Sequence, residues 1–546
     1  MTPPKKTPPM KNISLIPAML LLLSAGCAHR VATTEVRLTD EAGAKYALQK
    51  PVQFKQGTLA KPDVIVNIDD ERQVIEGFGA SITESSAFVL ACLSPEDRAM
   101  VIRELFGEQG ANFSATRTVI GSSDFTVHGH YSYDDVPGDK ALDHFSLAVH
   151  QDGWKRAAFP QIKDEEFDMY QFICEVAALK AGQADPTWRL VGSPWTAPAW
   201  MKDNGLFFDK VHRRGGALLP EYYDTFAQYF EKYLQAYREA GVEFYGITPE
   251  NEPMGNDGSW ESMDFSPKDE ATFIGQYLGP TLAQNFPDVR IYCFDQNTFE
   301  ADRYTAAVYD NDSLARLYTA GTAIHWYGST FSCFPHVLDS LHNLYPDKTL
   351  WHTEGCIDNL GRPGWPGVSD YEGYQESGWF NNDAFWWGKN ATDWAYSTPW
   401  WPELHPKYSP VHRYAQYIID GVNHWMTGYI DWNCVLDSIG GPTHVNNCCG
   451  AQVMVDYLSG IIYFTPYHYA FRHFSRSMRP GDVVLGVSEP KNEDLHVCAV
   501  KKADGAIAVN MLNKADAPCS FTMQIGGYNA TINLPANCVE TIEIRL

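Results

Sequence analysis

From residue 63 onward the chain alternates between short apolar runs and amphipathic stretches. Val64 and Val66 stand two apart before Asp69-Asp70, the pattern of a half-exposed strand followed by a turn. Apolar runs rich in Val, Ile and aromatics predict eight further strands. They end in the stretches Ile75–Gly79, Phe113–Thr118, Leu190–Ser193, Phe244–Thr248, Arg290–Phe294, Ala323–Trp326, Thr349–Thr353 and Tyr429–Trp432. Between them a helical period predicts helices over Pro95–Phe106, Phe167–Lys180, Glu221–Ala240, Pro267–Leu282, Val337–Leu344 and Val411–Trp425. Ser94 before Pro95 supplies an N-cap with proline at the first helical position.

Strand and helix alternating eight times predict a (β/α)8 barrel over residues 75–479. A doubly wound open sheet is the competing architecture. It is disfavoured because no G-x-G-x-x-G follows the first strand and no P-loop occurs. After a last helical pattern at Tyr469–Arg479 the character changes. Residues 480–546 give short alternating strands at Val483–Val487, His496–Lys501, Ile507–Leu512 and Thr541–Ile544, with turns at Asp504-Gly505 and Gly526-Gly527. These predict a β-sandwich built from the C-terminus, joined by the N-terminal strand over 63–74.

The amino-terminal stretch has a different logic. Lys11 precedes the apolar run Ile13–Leu23, too short to span a bilayer and suited to the core of a signal peptide over residues 1–27. The run ends in Leu23-Ser24-Ala25-Gly26-Cys27, which resembles a bacterial lipobox and implies cleavage before Cys27 with a lipid on its thiol. The expectation is an exported protein anchored to a bacterial membrane through Cys27, at the outer surface or in the periplasm, and otherwise secreted. Residues 28–62 read as a polar tether.

Composition narrows the functions. A net charge of −25 argues against nucleic acid and other anionic polymers, which need a basic face. Aromatics make up 13% of the chain, with 16 Trp, enough to stack on flat apolar faces such as sugar rings as well as to fill a core. The 12 cysteines form neither a zinc spacing nor a disulfide framework, and no cofactor or metal is implied. His128 and His130 stand close together, but no third ligand lies at a useful spacing.

The residues just past each strand converge in a barrel. They include Arg117 and Asp124 after the second strand, Trp195 after the third and Asn251-Glu252 after the fourth. His325-Trp326-Tyr327 follow the sixth, Thr353-Glu354-Gly355 the seventh, and Asp431-Trp432-Asn433 the eighth. Glu252 and Glu354 thus face each other across the mouth, with Trp195 and Trp432 as flat walls. Cleaving a glycosidic bond needs one protonated carboxyl to release the leaving oxygen and one ionised carboxylate to meet the developing positive charge. Each residue also has a plainer reading. Trp195 could be a packed loop residue, Arg117 a buried ion-pair partner, His325 a core histidine and Asp124 a turn cap. Glu250 reads as structural or solvated. Asp358 and Asp431 are the competing carboxylates.

These motifs together resemble glycoside hydrolase family 30, the glucosylceramidase-like family. The stretches that carry the resemblance are Glu76–Thr83, Gly121–Phe125, Tyr131-Ser132-Tyr133, Ser193–Pro198, Thr248–Pro253, His325–Tyr327, Thr353-Glu354 and Asp431–Asn433. The resemblance implies a barrel fused to a β-sandwich and a retaining hydrolase of β-D-glucosidic bonds acting through a glycosyl-enzyme. It implies Glu252 as acid/base and Glu354 as nucleophile, with Asn251 on the sugar 2-hydroxyl. Tyr327, Arg117 and His325 are implied to hold or flank the nucleophile, and Asp124, Trp195 and Trp432 to bind the terminal glucose. Asn447 falls near a further sugar contact, although the adjacent Cys448-Cys449 departs from the family pattern. An endo-β-1,6-glucanase and a β-xyloside or β-fucoside hydrolase are alternatives on the same scaffold. A surface glycan-binding lipoprotein without turnover is the alternative of another class, and it would have lost one carboxylate. The loops over Val149–Glu166 and from Phe385-Trp386-Trp387 to Trp400-Trp401 are expected to border the mouth, as sugar subsites or as buried loop cores.

Overall fold

The computed structural model describes residues 31–147, 158–357, 379–391, 403–445 and 447–546. Eight parallel strands close into a barrel. In chain order they are Gly77–Ala80, Ala115–Val119, Arg189–Ser193, Gly246–Ile247, Arg290–Asn297, Thr319–His325, Thr349–Glu354 and Met426–Asp431. Each coincides with a predicted strand to within a few residues, because each apolar run has to be buried on both faces.

The barrel interior is layered by the two-residue period of its strands. Ala115, Val191, Tyr292, Ala323, Trp351 and Ile430 form an apolar cluster in the interior. Two residues further along, the same strands present Arg117, Ser193, His325, Thr353 and Trp432. The fifth strand breaks this count. Phe294 and Asp295 have φ of 77° and 50°, and the pairing with the sixth strand shifts register between Ala323 and Ile324. This bulge delivers Asp295, three residues past Tyr292, to the polar layer. A second register shift between the sixth and seventh strands pairs His325 with Glu354.

The helices follow their caps. Ser94 accepts from the Asp97 amide at 3.1 Å and the helix runs Pro95–Phe106. The helix expected over Pro267–Leu282 is instead three pieces, Pro267–Phe273, a π-helical turn Ile274–Leu278, and Gly279–Asn285. Pro280 is the cause: it offers no N–H and crowds the carbonyl four residues back, so the ladder widens by one residue.

A ten-stranded sheet forms the second domain. It contains Val483–Val487, Leu495–Lys501, Ile507–Asn513, Cys519–Ile525, Tyr528–Leu534 and Cys538–Arg545, joined by Val64–Val74. The polar tether expected over 28–62 is corrected here. Val31–Asp40 pairs antiparallel with Cys538–Arg545, and Ala47–Leu48 and Phe54–Gln56 add short edges. Ala32, Thr34, Val36 and Leu38 are buried while Thr33 and Glu35 are exposed, so this segment has the alternation of a strand despite its polar content. His473, on the helix Pro466–Ser477, bridges the two domains. Its ring nitrogens lie 2.7 Å from Thr541 Oγ1 and 3.0 Å from Thr39 Oγ1. The signal-like segment and Cys27 lie outside the described residues.

Candidate active site

The polar layer of the barrel is built on one guanidinium. Arg117 is fully buried, and its Nη1 donates to Glu354 Oε2 at 2.7 Å. Its Nη2 donates to Asn251 Oδ1 at 2.6 Å, Asp295 Oδ2 at 2.7 Å and Ser193 Oγ at 3.0 Å. The guanidinium also lies over the Trp195 ring at 4.6 Å. Asp295 in turn accepts from Thr248 Oγ1 at 2.7 Å and Thr353 Oγ1 at 2.6 Å. Burial works against its charge, but Arg117, His325 and these hydrogen bonds hold its carboxyl well below the usual carboxylate range.

Two carboxylates rise from this layer. Glu354 ends the seventh strand and accepts from the Tyr327 hydroxyl at 3.0 Å as well as from Arg117. Glu252 follows the fourth strand with φ of 51°, an uncommon left-handed conformation outside glycine, held by its amide donating to the Asp295 carbonyl at 3.0 Å. Its Oε1 lies 3.3 Å from His325 Nδ1, and His325 Nε2 lies 3.0 Å from Asp295 Oδ1. One oxygen each of Glu252 and Glu354 and one nitrogen of His325 lie within 4.8 Å of one another.

Charge counting describes what this cluster can do. Three carboxylates, Glu252, Glu354 and Asp295, stand against two cations, Arg117 and a protonated His325. Burial disfavours charge on His325, but Glu354, Asp295 and Glu252 outweigh it and raise its pKa to about 9. The cluster is neutral when one carboxyl keeps a proton. Burial raises Glu354 above the ordinary range, with His325 and Arg117 pulling down and Glu252 pushing up. Glu354 receives a guanidinium and a phenol, whereas Glu252 has one longer imidazole contact, so the stronger hydrogen bonds to a negative charge are those on Glu354.

A cavity of about 370 Å³ opens over both carboxylates, within the range of small-ligand sites. Asp124, Asn251, Trp195, Trp432, Tyr327 and Asn447 line it. Trp195 and Trp432 do not stand as separate walls as expected. They stack on each other, with ring centroids 4.9 Å apart, as a two-ring platform over Arg117. Asn447 Nδ2 donates to Asp124 Oδ2 at 2.9 Å, and burial pushes the Asp124 carboxyl up to about 7 against that bond.

Comparison with known proteins places this geometry. The profile described as "Glycosyl hydrolase family 30 TIM-barrel domain" matches residues 75–374 and 403–478, and that of the "Glycosyl hydrolase family 30 beta sandwich domain" matches residues 483–542. The chain belongs to glycoside hydrolase family 30. It is a retaining glycosidase. A relative from Mus musculus named "Lysosomal acid glucosylceramidase" is 26% identical over 468 residues, covering 84% of this chain and 79% of its own. The "Endo-1,6-beta-D-glucanase" of Neurospora crassa is 27% identical over 483 residues, covering 86% and 85%. In fold the chain is similar to SrfJ from Salmonella typhimurium, with a TM-score of 0.75 at 24% identity, covering 94% of this chain and all of that one.

Within this glycosidase several expected positions are revised. Arg117 and His325, implied by the resemblance to hold or flank the nucleophile and grouped with the substrate-binding residues, do not line the cavity. Both are fully buried beneath it, Arg117 bonding Glu354 and Asn251 and His325 lying against Glu252. Asp431 is buried among Tyr414, Gln452 and Tyr467, away from the cavity lining. Glu250 is buried rather than solvated. Asp358 lies outside the described residues, as do Trp400, Trp401 and residues 148–157. Trp386 and Trp387 are core rather than exposed platforms. Asp295 is a functional-site residue that sequence reading missed, although inspecting the residues past the fifth strand, as for its neighbours, leads to it. His130 also gains partners that its sequence neighbourhood does not show. Its Nδ1 lies 2.7 Å from Glu261 Oε1, and His444 Nε2 lies 3.2 Å from Glu261 Oε2.

Proposed function

We propose that this chain hydrolyses β-D-glucosidic bonds by double displacement, with Glu354 as nucleophile and Glu252 as acid/base. The observation that carries the reading is the unequal holding of two close carboxylates. One oxygen each of Glu252 and Glu354 lies within 4.8 Å of the other, nearer the separation of about 5–5.5 Å in retaining enzymes than the about 6.5–9.5 Å of inverting ones. Glu354, held ionised by Arg117 and Tyr327, attacks the anomeric carbon while Glu252 gives its proton to the leaving oxygen. Water then enters from the leaving-group side, Glu252 takes its proton back, and the ester to Glu354 breaks. His325 is a positioning residue between Glu252 and Asp295.

Asp124 and Asn447 supply hydrogen-bonding groups for sugar hydroxyls above the Trp195–Trp432 platform. Asn251 spends its oxygen on Arg117, which leaves its Nδ2 as the donor for the 2-hydroxyl. Part of the cavity wall after the fourth strand is Asn256, Asp257 and Ser259, with Gln296 and Asn297 beside them. Met254 and Trp260 share that stretch, and polar groups set beside an indole suit a second sugar as the leaving group, in keeping with the relative named endo-1,6-β-D-glucanase. Product profiles on aryl β-glucoside, aryl β-xyloside, β-1,6-glucan, β-1,3-glucan and glucosylceramide test this. Turnover of β-1,6-glucan above glucosylceramide supports it, and the reverse order contradicts it.

We further propose export with lipidation of Cys27, motivated by the lipobox-like end of residues 1–27. Cys27→Ser should move the protein from the membrane fraction to the soluble fraction, and an unchanged distribution would rule the anchor out.

A further inference from the structure

Three loops at the barrel mouth meet outside the catalytic cluster. The loop after the second strand carries His130, the loop after the fourth carries Glu261, and the loop after the eighth carries His444. One ligand-capable atom from each lies within 4.8 Å of the other two. We propose that His130, Glu261 and His444 form a binding site for a single divalent transition-metal ion of the zinc class, which ties the three loops together beside the sugar cavity.

His444 Nδ1 lies 3.0 Å from the Thr126 carbonyl, which can only accept, so Nδ1 is a donor and Nε2 is the nitrogen turned toward Glu261 Oε2, at 3.2 Å. His130 Nδ1 lies 2.7 Å from the other Glu261 oxygen, so two ring nitrogens and a carboxylate converge on one spot. The Nδ1–H bond to a backbone carbonyl is also the usual outer contact of a metal-ligating imidazole, fixing its tautomer and orientation.

The remaining features agree. Glu261 has a fully buried side chain, and among the described residues no Lys or Arg forms an ion pair with it. Its two oxygens face different imidazoles, at 2.7 Å and 3.2 Å. Ligand atoms about 2.0–2.2 Å from a tetrahedral zinc ion stand roughly 3.3 Å apart, so small side-chain adjustments suffice. Two imidazoles and one carboxylate suit zinc better than calcium or magnesium, which prefer oxygen. The His130 side chain is 37% exposed, giving the ion a route in and a fourth position for water. His444 donates its backbone N–H to the Asp124 carbonyl at 3.3 Å, so the ion would stiffen the wall that carries Asp124 and Asn447. The other trio within the same distance, Glu252, His325 and Glu354, is the catalytic cluster, where the Arg117 guanidinium already donates to Glu354 at 2.7 Å.

The test uses the purified protein without a histidine tag, stripped by chelator and titrated with Zn²⁺ alone, with metal content measured after gel filtration. The proposal predicts one zinc per chain with a dissociation constant of about 1 µM or tighter and a higher Tm. His130→Ala, at the most exposed ligand, should weaken binding at least about tenfold, and His444→Ala about 100-fold. His212→Ala, at an exposed histidine outside this trio, and Glu252→Gln should bind as the unaltered protein does. Failure to retain an equivalent of zinc, or unchanged binding by His130→Ala and His444→Ala, would overturn the site. So would loss of zinc in Glu252→Gln, which would assign the ion to the catalytic carboxylates.

Discussion

Arg117 Nη2 lies 2.6 Å from Asn251 Oδ1, so the guanidinium that steadies Glu354 also decides which end of the Asn251 amide is left for substrate. A guanidinium only donates, so the amide oxygen must face it and the amide nitrogen is the spare donor. Asn251→Asp keeps an acceptor for Arg117 and removes that donor. It should lower kcat/KM on an aryl β-glucoside by about 10²–10³-fold, the scale for losing one hydrogen bond that strengthens in the transition state. On an aryl 2-deoxy-β-glucoside the gap between variant and parent should nearly vanish. An equal loss on both substrates would move the 2-hydroxyl contact elsewhere.

Asp295 touches Arg117 and His325 at once and lies beneath the cavity. Asp295→Asn keeps the shape and removes the charge. Leaving Arg117 without this buried partner should cost on the order of 3–5 kcal/mol of stability, measurable by urea unfolding. Because Asp295 helps hold the His325 pKa up, the His325 imidazole should titrate at lower pH in the variant, read by NMR of the ring. An unshifted titration would mean that Asp295 does not set the charge on His325.

The His325 charge also has a stability signature. Its folded pKa of about 9 exceeds the ordinary value of 6.5, so the folded state binds the proton more tightly than the unfolded chain. The resulting stabilisation is fully present below pH 6.5 and is lost as pH rises through 9. Tm measured for the parent and for His325→Gln should therefore differ most near pH 6 and converge above pH 9. A gap that widens with pH would contradict the sign.

Leaving-group chemistry separates the two carboxylates. With Glu252→Ala, substrates whose leaving groups need no proton, such as dinitrophenyl β-glucosides, should keep glycosylation within about tenfold of the parent. Alkyl and sugar glycosides should lose about 10²–10⁴-fold, the usual worth of a positioned acid. Rapid-quench kinetics on both classes checks this, and a uniform loss would remove Glu252 from the role of proton donor.

The strands were legible from local apolar runs such as Leu190–Ser193, and both candidate catalytic carboxylates from standing as a pair where two such runs stop and from the ordered motifs around them. What was not legible depends on partners far along the chain. Val31–Asp40 is polar enough to read as a tether until Cys538–Arg545 pairs with it. The helix Glu84–Ala91 is buried on every side and so shows no amphipathic period. Asp295 reaches the site through a bulge that breaks the two-residue count, and His130 meets Glu261 and His444 only after three loops have folded over the mouth.

The most direct test is to trap the covalent sugar. Incubating the protein with a 2-deoxy-2-fluoro-β-glucoside bearing an activated leaving group, then digesting it and sequencing the labelled peptide by mass spectrometry, reads the nucleophile directly. A single glucosyl adduct on Glu354, absent from Glu354→Ala, is the result expected. A label on Glu252 or another residue would contradict the account. So would slow hydrolysis that releases the α-anomer without any adduct.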